Sequence, residues 1–258
     1  MLSLWCASTE AAAHVFVSAD ALAGAGAGAG AGDGDGASDL IEISGEDGRH
    51  LSRVRRIGVG EVITVADGAG LWRVTEVESV TNTSVFLSPT TEIYLEPVAT
   101  PLLTVAFAPA KGDQPESVVA SLTELGVDVV IPVITKRTVL RWTGDRADKA
   151  GERLRRVARS ASEQSRRARL PEVTDPQPLA RLAGSSGLVV ASRDGGSVES
   201  LKEPGPSGWI LLVGPEGGLE PEEVERLGDL ESLRVGPHIL RAATAPIAAA
   251  GILWARRA

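Results

Sequence analysis

The sequence predicts two domains of different class, a small β-barrel followed by an α/β domain built on a parallel sheet. Three observations carry this. Short β-type runs separated by turns fill the first third of the chain. Beyond them apolar strands alternate with helical patterns. The 258 residues, 43% of them hydrophobic, suffice for two modest cores. The character changes within EIYLEPVATP, residues 92–101, and the boundary is placed at residue 96, giving domains 1–96 and 97–258.

In the first domain the β-type runs are HVFVS from His14, LIEIS from Leu40, EVITVADG from Glu61, LWRVTEVES from Leu71 and TSVFLS from Thr83. Between the first two lies AGAGAGAGAGDGDGASD, residues 23–39, which alternates small residues with glycine and presents nothing polar before Asp33. Such a segment buries too little surface to offset its ordering entropy and reads as a flexible loop.

In the second domain LLTVAFA (102–108) reads as a buried strand, PESVVASLTELG (115–126) as a helix stopped by Gly126, and VDVVIPV (127–133) as the next strand. A helical pattern runs from Asp145 to about Arg169. LVVAS (188–192), WILLVG (209–214) and LRVG (233–236) read as further parallel strands, and an apolar helix spans 239–256.

Composition narrows the function. Twenty-six basic against 34 acidic residues leave a net charge of −8, so any nucleic-acid contact must be local. Cys6 is the only cysteine, which excludes a disulfide framework and a thiolate metal site and suits a reducing cytoplasm. His14, His50 and His238 are too scattered for a local metal motif. The N-terminus lacks the charged-then-apolar order of a secretory signal, and no apolar run reaches membrane-spanning length. A cytoplasmic protein is expected.

LLVGPEGGLEPEEVERL, residues 211–227, runs a strand into glycines and then a helix start. Glycines there suggest a phosphate cradle, yet neither G-x-x-x-x-G-K-[ST] nor G-x-G-x-x-G is present. Glu216, Glu220, Glu222 and Glu223 crowd the helix start, where they favour the dipole and repel a phosphate; Pro221 suits the first turn. A ligand there should lack phosphate or carry positive charge, and S-adenosylmethionine, with its adenosine and sulfonium, satisfies both. A tight turn with a solvated acidic face explains the same residues.

Three other stretches accompany this one in order: KGDQPESVVASLTELGVDVVIPVITKRTV from Lys111, SASEQSRRARLPEV from Ser160 and RVGPHILRAATAPIAAAGIL from Arg234. Together with HLSRVRRIGVGEVITVADG from His50, they resemble the bacterial small-subunit ribosomal RNA uridine N3-methyltransferases, a family of the knotted SPOUT class. The resemblance covers most of residues 50–258 and leaves the Ala-Gly repeat outside. It implies a PUA-like barrel for RNA, then a SPOUT domain whose C-terminal chain threads a trefoil knot, which ordinary topology rules would not suggest. It also implies a homodimer, ribosomal RNA of the small subunit as partner, and S-adenosyl-L-methionine as cofactor, held mainly by backbone groups of three loops. Carried over, these are Val190, Ala191 and Ser192 to Arg193 after the first knot strand; Gly214, Pro215, Glu216, Gly217 and Gly218; and Val235 and Gly236 through Ile239 and Leu240, with Thr244 beyond. No metal is implied.

Methyl transfer is an in-line displacement, so the site must hold nucleophile and methyl at near-attack distance. Loss of the uracil N3 proton puts charge on the flanking carbonyls, which a nearby cation stabilises. Arg241 is the candidate cation; a salt bridge to Glu216 that only fixes the loop is the alternative. Glu216 is a candidate proton acceptor, or an acid that fixes the loop through backbone N–H groups. At Ala242 and Ala243 the sequence departs from the family, which carries polar residues there, so slower turnover or a different target is expected.

RLRRVARSASEQSRRARL, residues 153–170, holds seven arginines against one glutamate, enough to bind phosphates locally despite the overall charge. Arg155, Arg156, Arg159, Arg166 and Arg167 are expected to form a helical stripe, with Leu154, Val157 and Ala161 inward; a solvated helix face is the alternative. Arg49, Arg53, Arg55 and Arg56 around His50 form a second basic group, expected to guide RNA. His238 is a further candidate for contact with cofactor or RNA, and Lys111 either contacts RNA or caps a strand end, whereas Trp5, Trp72, Trp142, Trp209 and Trp254 read as core or interface residues. Competing readings are a SPOUT enzyme with another RNA target and a non-catalytic RNA-binding or ribosome-assembly protein that keeps the knot. The missing phosphate loop disfavours a nucleotide-dependent oxidoreductase.

Overall fold

The structure is a computed structural model that describes residues 11–24, 40–111, 114–140 and 142–257. Most of the Ala-Gly repeat, Trp5 and Cys6 lie outside the described residues. Two compact units emerge: Met1–Val98 with Ser162–Leu170, and Ala99–Ala161 with Pro171–Ala258.

The first unit is a six-stranded sheet of β1 (Ala13–Phe16), β2 (Ile41–Ile43), β3 (Val62–Ala66), β4 (Leu71–Val80), β5 (Val85–Pro89) and β6 (Tyr94–Leu95). The strand order is β1-β3-β4-β5-β2, with β6 on β4, and all pairs are antiparallel except β1 with β3. Each β-type run of the sequence thus supplies one strand. Alternating residues such as Ile41 and Ile43 point inward onto Val65, Val77, Val85 and Leu87. Two short helices, α1 (Ala19–Leu22) and α2 (Gly45–Arg49), and a π-helical turn (His50–Val54) complete it.

Residues 162–170, placed by sequence in the second domain, belong to the first unit. Phe16, Ala66 and Ala168 form a small core there, and Glu96 Oε2 accepts from the Ala168 and Arg169 amides at 2.7 and 3.2 Å. His14 is buried beside them, with Nδ1 2.8 Å from Thr64 Oγ1 and Nε2 3.0 Å from the Arg167 carbonyl. A carbonyl only accepts, so Nε2 carries the proton and Nδ1 accepts from the threonine hydroxyl. Burial pushes its pKa down to about 4.

The second unit is a seven-stranded parallel sheet. Its strands are β7 (Leu103–Phe107), β8 (Val129–Ile134), β9 (Glu172–Val173), β10 (Gln177–Pro178), β11 (Leu188–Gly196), β12 (Trp209–Val213) and β13 (Glu231–Leu233), ordered β10-β8-β7-β12-β11-β13 with β9 also on β8. Strand β7 is buried along its whole length, as a parallel sheet covered on both faces requires. Helices α3 (Gln114–Glu124), α4 (Asp145–Ser165), α5 (Pro221–Leu227) and α6 (Thr244–Arg257) accompany it. The main core joins Leu103, Val105, Phe107, Leu122, Leu154, Trp209, Leu211, Ala249 and Leu253.

After the edge strand β13 the chain returns to pack α6 on α3, β7 and β12 and against the 3-10 turn Val198–Ser200 that follows β11. Arg256 ties that turn down: it donates to the Val198 carbonyl, pairs with Glu203 at 2.6 Å and lies 5.4 Å over the Trp209 ring.

Three elements differ from expectation. The long helix ends at Ser165 rather than near Arg169, because Arg166 takes a positive φ of 59° that no helix accommodates. The last helix starts at Thr244, not 239: Pro237 sits in the approach, and the Arg241 carbonyl accepts from the Thr244 and Ala245 amides, both at 2.9 Å, to open the first turn. LRVG contributes only Leu233 to β13.

Candidate active site

Because β8, β7, β12, β11 and β13 are all parallel, the loops that follow them leave from one edge of the sheet, the carboxyl edge where open α/β sheets bind ligands. Two of the three carried-over segments are loops at this edge. The third is not: Val190, Ala191 and Ser192 lie within β11, which continues to Gly196. Val190 pairs with Leu212 on one side and Ser232 on the other. Leu233 stands opposite both Ala191 and Gly196, so Ser192 to Gly195 form a bulge, with Arg193 and Asp194 exposed. Glycine here serves close packing: a Cβ on Gly195 would lie 2.6 Å from the Leu233 carbonyl carbon.

The glycine loop is a tight turn. The Gly218 amide donates to the Pro215 carbonyl at 2.8 Å, and Gly218 has φ +73°. Gly214 and Pro215 are half-buried, Glu216 and Gly217 exposed. Pro221 opens α5 behind a capping box in which Glu220 and Glu223 cap each other's backbone. In the third loop Val235 is half-buried against the main core, to which Val189, Val213 and Leu233 belong, as are Ala191 of the first segment and Ala243. Gly236 and Leu240 are half-buried, while His238, Ile239, Arg241 and Thr244 are exposed, Ile239 at 82%.

These loops keep their hydrogen-bonding capacity. The amides of Glu216, Gly217, Gly236, His238, Ile239 and Leu240 donate to no described residue. Neither the Arg241 guanidinium nor the Glu216 carboxylate has a hydrogen bond or ion pair among the described residues, so the salt bridge left open by the sequence is not made. Free backbone donors beside half-buried apolar residues suit a flat heteroaromatic ligand read by its edges.

Sequence reasoning missed Lys136 and Arg137, which follow β8. Arg137 Nε pairs with Glu220 at 2.9 Å and its NH1 donates to the Gly217 carbonyl; the Lys136 amide donates to Glu223 Oε1 at 2.8 Å, and its ammonium pairs with Glu222 at 2.9 Å. Lys136 holds the Glu222 carboxyl below the usual range. The acids at the helix start are therefore spent on capping and on this loop, and of Glu216, Glu220, Glu222 and Glu223 only Glu216 stays free. The two cations sit within ITKRTV, more than 80 positions upstream of the acids they meet, where no local pattern marks them.

The arginines are dispersed. Arg155 pairs with Asp175 at 2.9 Å and Arg153 with Glu116 at 2.6 Å, while Arg156 is exposed. Arg166 and Arg167 lie past the helix end, so they do not continue a helical stripe; Arg166 donates to the Ala11 carbonyl at 2.6 Å. Leu154 and Ala161 are buried and Val157 half-buried, the inward face expected. In the first unit Arg53 and Arg55 are exposed and donate to the carbonyls of Asn82 and Ala12 at 3.2 Å each, and Arg56 is exposed with φ 54°. Arg53 borders a shallow polar depression with Ser52, Thr81 and Asn82. Trp209 is buried, Trp72 tilts against Tyr94, and Trp254 is 44% exposed. Among the described residues no group of three or more His, Cys, Asp or Glu side chains is arranged to hold a metal, and no helix is long and apolar enough to cross a membrane.

Comparison with known proteins identifies the family and the fold. Residues 98–254 match the family model described as an RNA methyltransferase domain, and residues 43–90 match an RNA methyltransferase PUA domain. A solved structure of a putative methyltransferase from Legionella pneumophila, in complex with the bound cofactor SAM, is similar with a TM-score of 0.75 and 25% identity, covering 94% of this chain and 97% of that one. The fold and the loops at its carboxyl edge define an RNA methyltransferase of the knotted SPOUT class with a PUA-like domain before it. The chain is 32% identical to proteins named ribosomal RNA small subunit methyltransferase E, over 83% of this chain and 87% of the Mycobacterium bovis protein, and over 80% and 86% for that of Bacillus subtilis. It belongs to that family.

Proposed function

We propose that this chain transfers a methyl group from S-adenosyl-L-methionine to N3 of one uridine in small-subunit ribosomal RNA, acting as a cytoplasmic homodimer. The observation that carries the reading is the set of unspent backbone donors in residues 214–218 and 235–240, next to a free guanidinium and a free carboxylate. The bound cofactor supplies an electrophilic methyl on a sulfonium. Gly214 to Gly218 and Val235 to Leu240 would hold its adenosine through backbone groups, with Val190, Ala191 and Ser192 forming the floor. Arg241 then stabilises the uracil carbonyls as N3 loses its proton. Glu216, exposed and without an ion pair among the described residues, takes that proton. Arg53, Arg55, Arg56, Arg155, Arg159, Arg166 and Arg167 are proposed RNA contacts.

The test separates binding from chemistry. Arg241→Ala should lower the methylation rate roughly a hundredfold while the Kd for S-adenosylmethionine, measured by calorimetry, moves less than about threefold. The reverse pattern would assign Arg241 to the cofactor. A second reading, a protein that keeps the knot and binds RNA without turnover, draws on Ala242 and Ala243, which bring no polar group beside Arg241, Ala243 packing on the core instead. No binding of the cofactor by the wild-type chain at millimolar concentration would favour it.

A further inference from the structure

We infer that Arg137 is a positioning residue for the cofactor loop, and that its fork onto Glu220 and the Gly217 carbonyl sets cofactor affinity. The inference rests on the function proposed above and concerns a residue outside the three cofactor segments.

The geometry is reciprocal. Glu223 uses one carboxylate oxygen to cap the start of α5, at the Glu220 amide, and the other to accept the Lys136 amide; Glu220 caps in return and accepts Arg137 Nε at 2.9 Å. The capping box and the loop after β8 are thus one network. Arg137 reaches further, to the Gly217 carbonyl, so a single guanidinium bridges the helix start and the glycine turn. Its stem lies along the turn as well: a Cβ on Gly217 would stand 3.3 Å from Arg137 Cδ. Apart from the Gly218-to-Pro215 bond, no other backbone hydrogen bond among the described residues closes residues 214–219.

The clamp acts on the peptide that closes the turn: the Gly217 carbonyl held by Arg137 and the Gly218 amide bonded to Pro215 belong to one planar group, so the arginine and the turn bond hold that plane from its two ends. Glycine on both sides, Gly217 and Gly218, lets that peptide rotate at low steric cost. With the Gly217 carbonyl drawn to Arg137, the amides of Glu216 and Gly217 stay free of internal partners. A loop that must order on binding loses affinity by the cost of that ordering, and a pre-formed one does not. Arginine suits the role because its planar fork serves two acceptors at once, which an ammonium on a flexible stem does not.

The measurement pairs the Kd for S-adenosylmethionine with hydrogen exchange of residues 214–220 in the cofactor-free full chain. Arg137→Ala should raise the Kd and the KM for the cofactor roughly tenfold, the scale of one charge-assisted hydrogen bond. At saturating cofactor kcat should change less than about twofold. Exchange at Gly218 should quicken, and Arg137→Lys, which keeps the charge and loses the fork, should fall between wild type and alanine in both readings. An unchanged Kd, a fall in kcat with KM unchanged, or unaltered exchange at Gly218 would overturn the inference. Failure of the wild-type chain to bind the cofactor would instead remove the proposed function, and the exchange result would still decide whether Arg137 holds the turn.

Discussion

His14 carries no mark of its role in the sequence and a definite one in the structure. In HVFVS it is one of three scattered histidines; in the fold it is a neutral, buried link between Thr64 on β3 and the chain after α4. Its folded pKa of about 4 lies below its ordinary value of 6.5, so the unfolded chain binds more protons between those limits. The stability it contributes is complete above pH 6.5 and is lost as pH falls towards 4, amounting to on the order of 3 kcal/mol. The urea midpoint of wild type should therefore fall relative to His14→Gln across that window; a constant difference would show that His14 does not titrate with folding. Arg241 and Glu216 were legible as candidates because they sit within quoted motifs. Arg137 was not, since its partners are distant in sequence and the acids that announce the loop give no hint of what neutralises them.

Among the elements, the apolar periods marked every long strand and helix, and the errors gather at ends where tertiary contacts decide. Val190 to Arg193 was carried over as a loop, yet β11 runs on through it to Gly196 because the backbone leaving β13 lies against Gly195 and the Arg234 amide donates to the Gly196 carbonyl at 2.8 Å. This gives the bulge a specific weakness. A methyl at Gly195 would meet Leu233 and Arg234 backbone at 2.6 to 2.9 Å, and neither strand end can yield without moving the other. Gly195→Ala should cost about 1–3 kcal/mol in urea unfolding and weaken cofactor binding with it, since Ala191 and Val235 pack on the core that Leu233 belongs to. Stability and affinity both equal to wild type would mean that the bulge does not shape the pocket. The short β6, β9 and β10 were invisible because two residues carry no period.

For the whole molecule, composition excluded more than it identified: the net charge of −8 leaves RNA contact to local arginines, and no residue pattern describes a knot. The sequence expects a division near residue 96, where β-type runs give way to alternating strands and helices, and the first unit's opening segment ends at Val98. The inclusion of residues 162–170 in the first unit was not legible, because it depends on Glu96 capping the Ala168 and Arg169 amides across 72 positions of chain. The family relationship makes an RNA methyltransferase of this chain; methylation at N3 of a uridine is our proposal, drawn from the resemblance. The most direct measurement is transfer of labelled methyl from S-adenosylmethionine to small-subunit ribosomal RNA, followed by mass mapping of the modified nucleoside. The account predicts one uridine methylated on its base at N3, with Arg241→Ala strongly slowed. Label on a ribose hydroxyl, on another base, or nowhere in that RNA would contradict it.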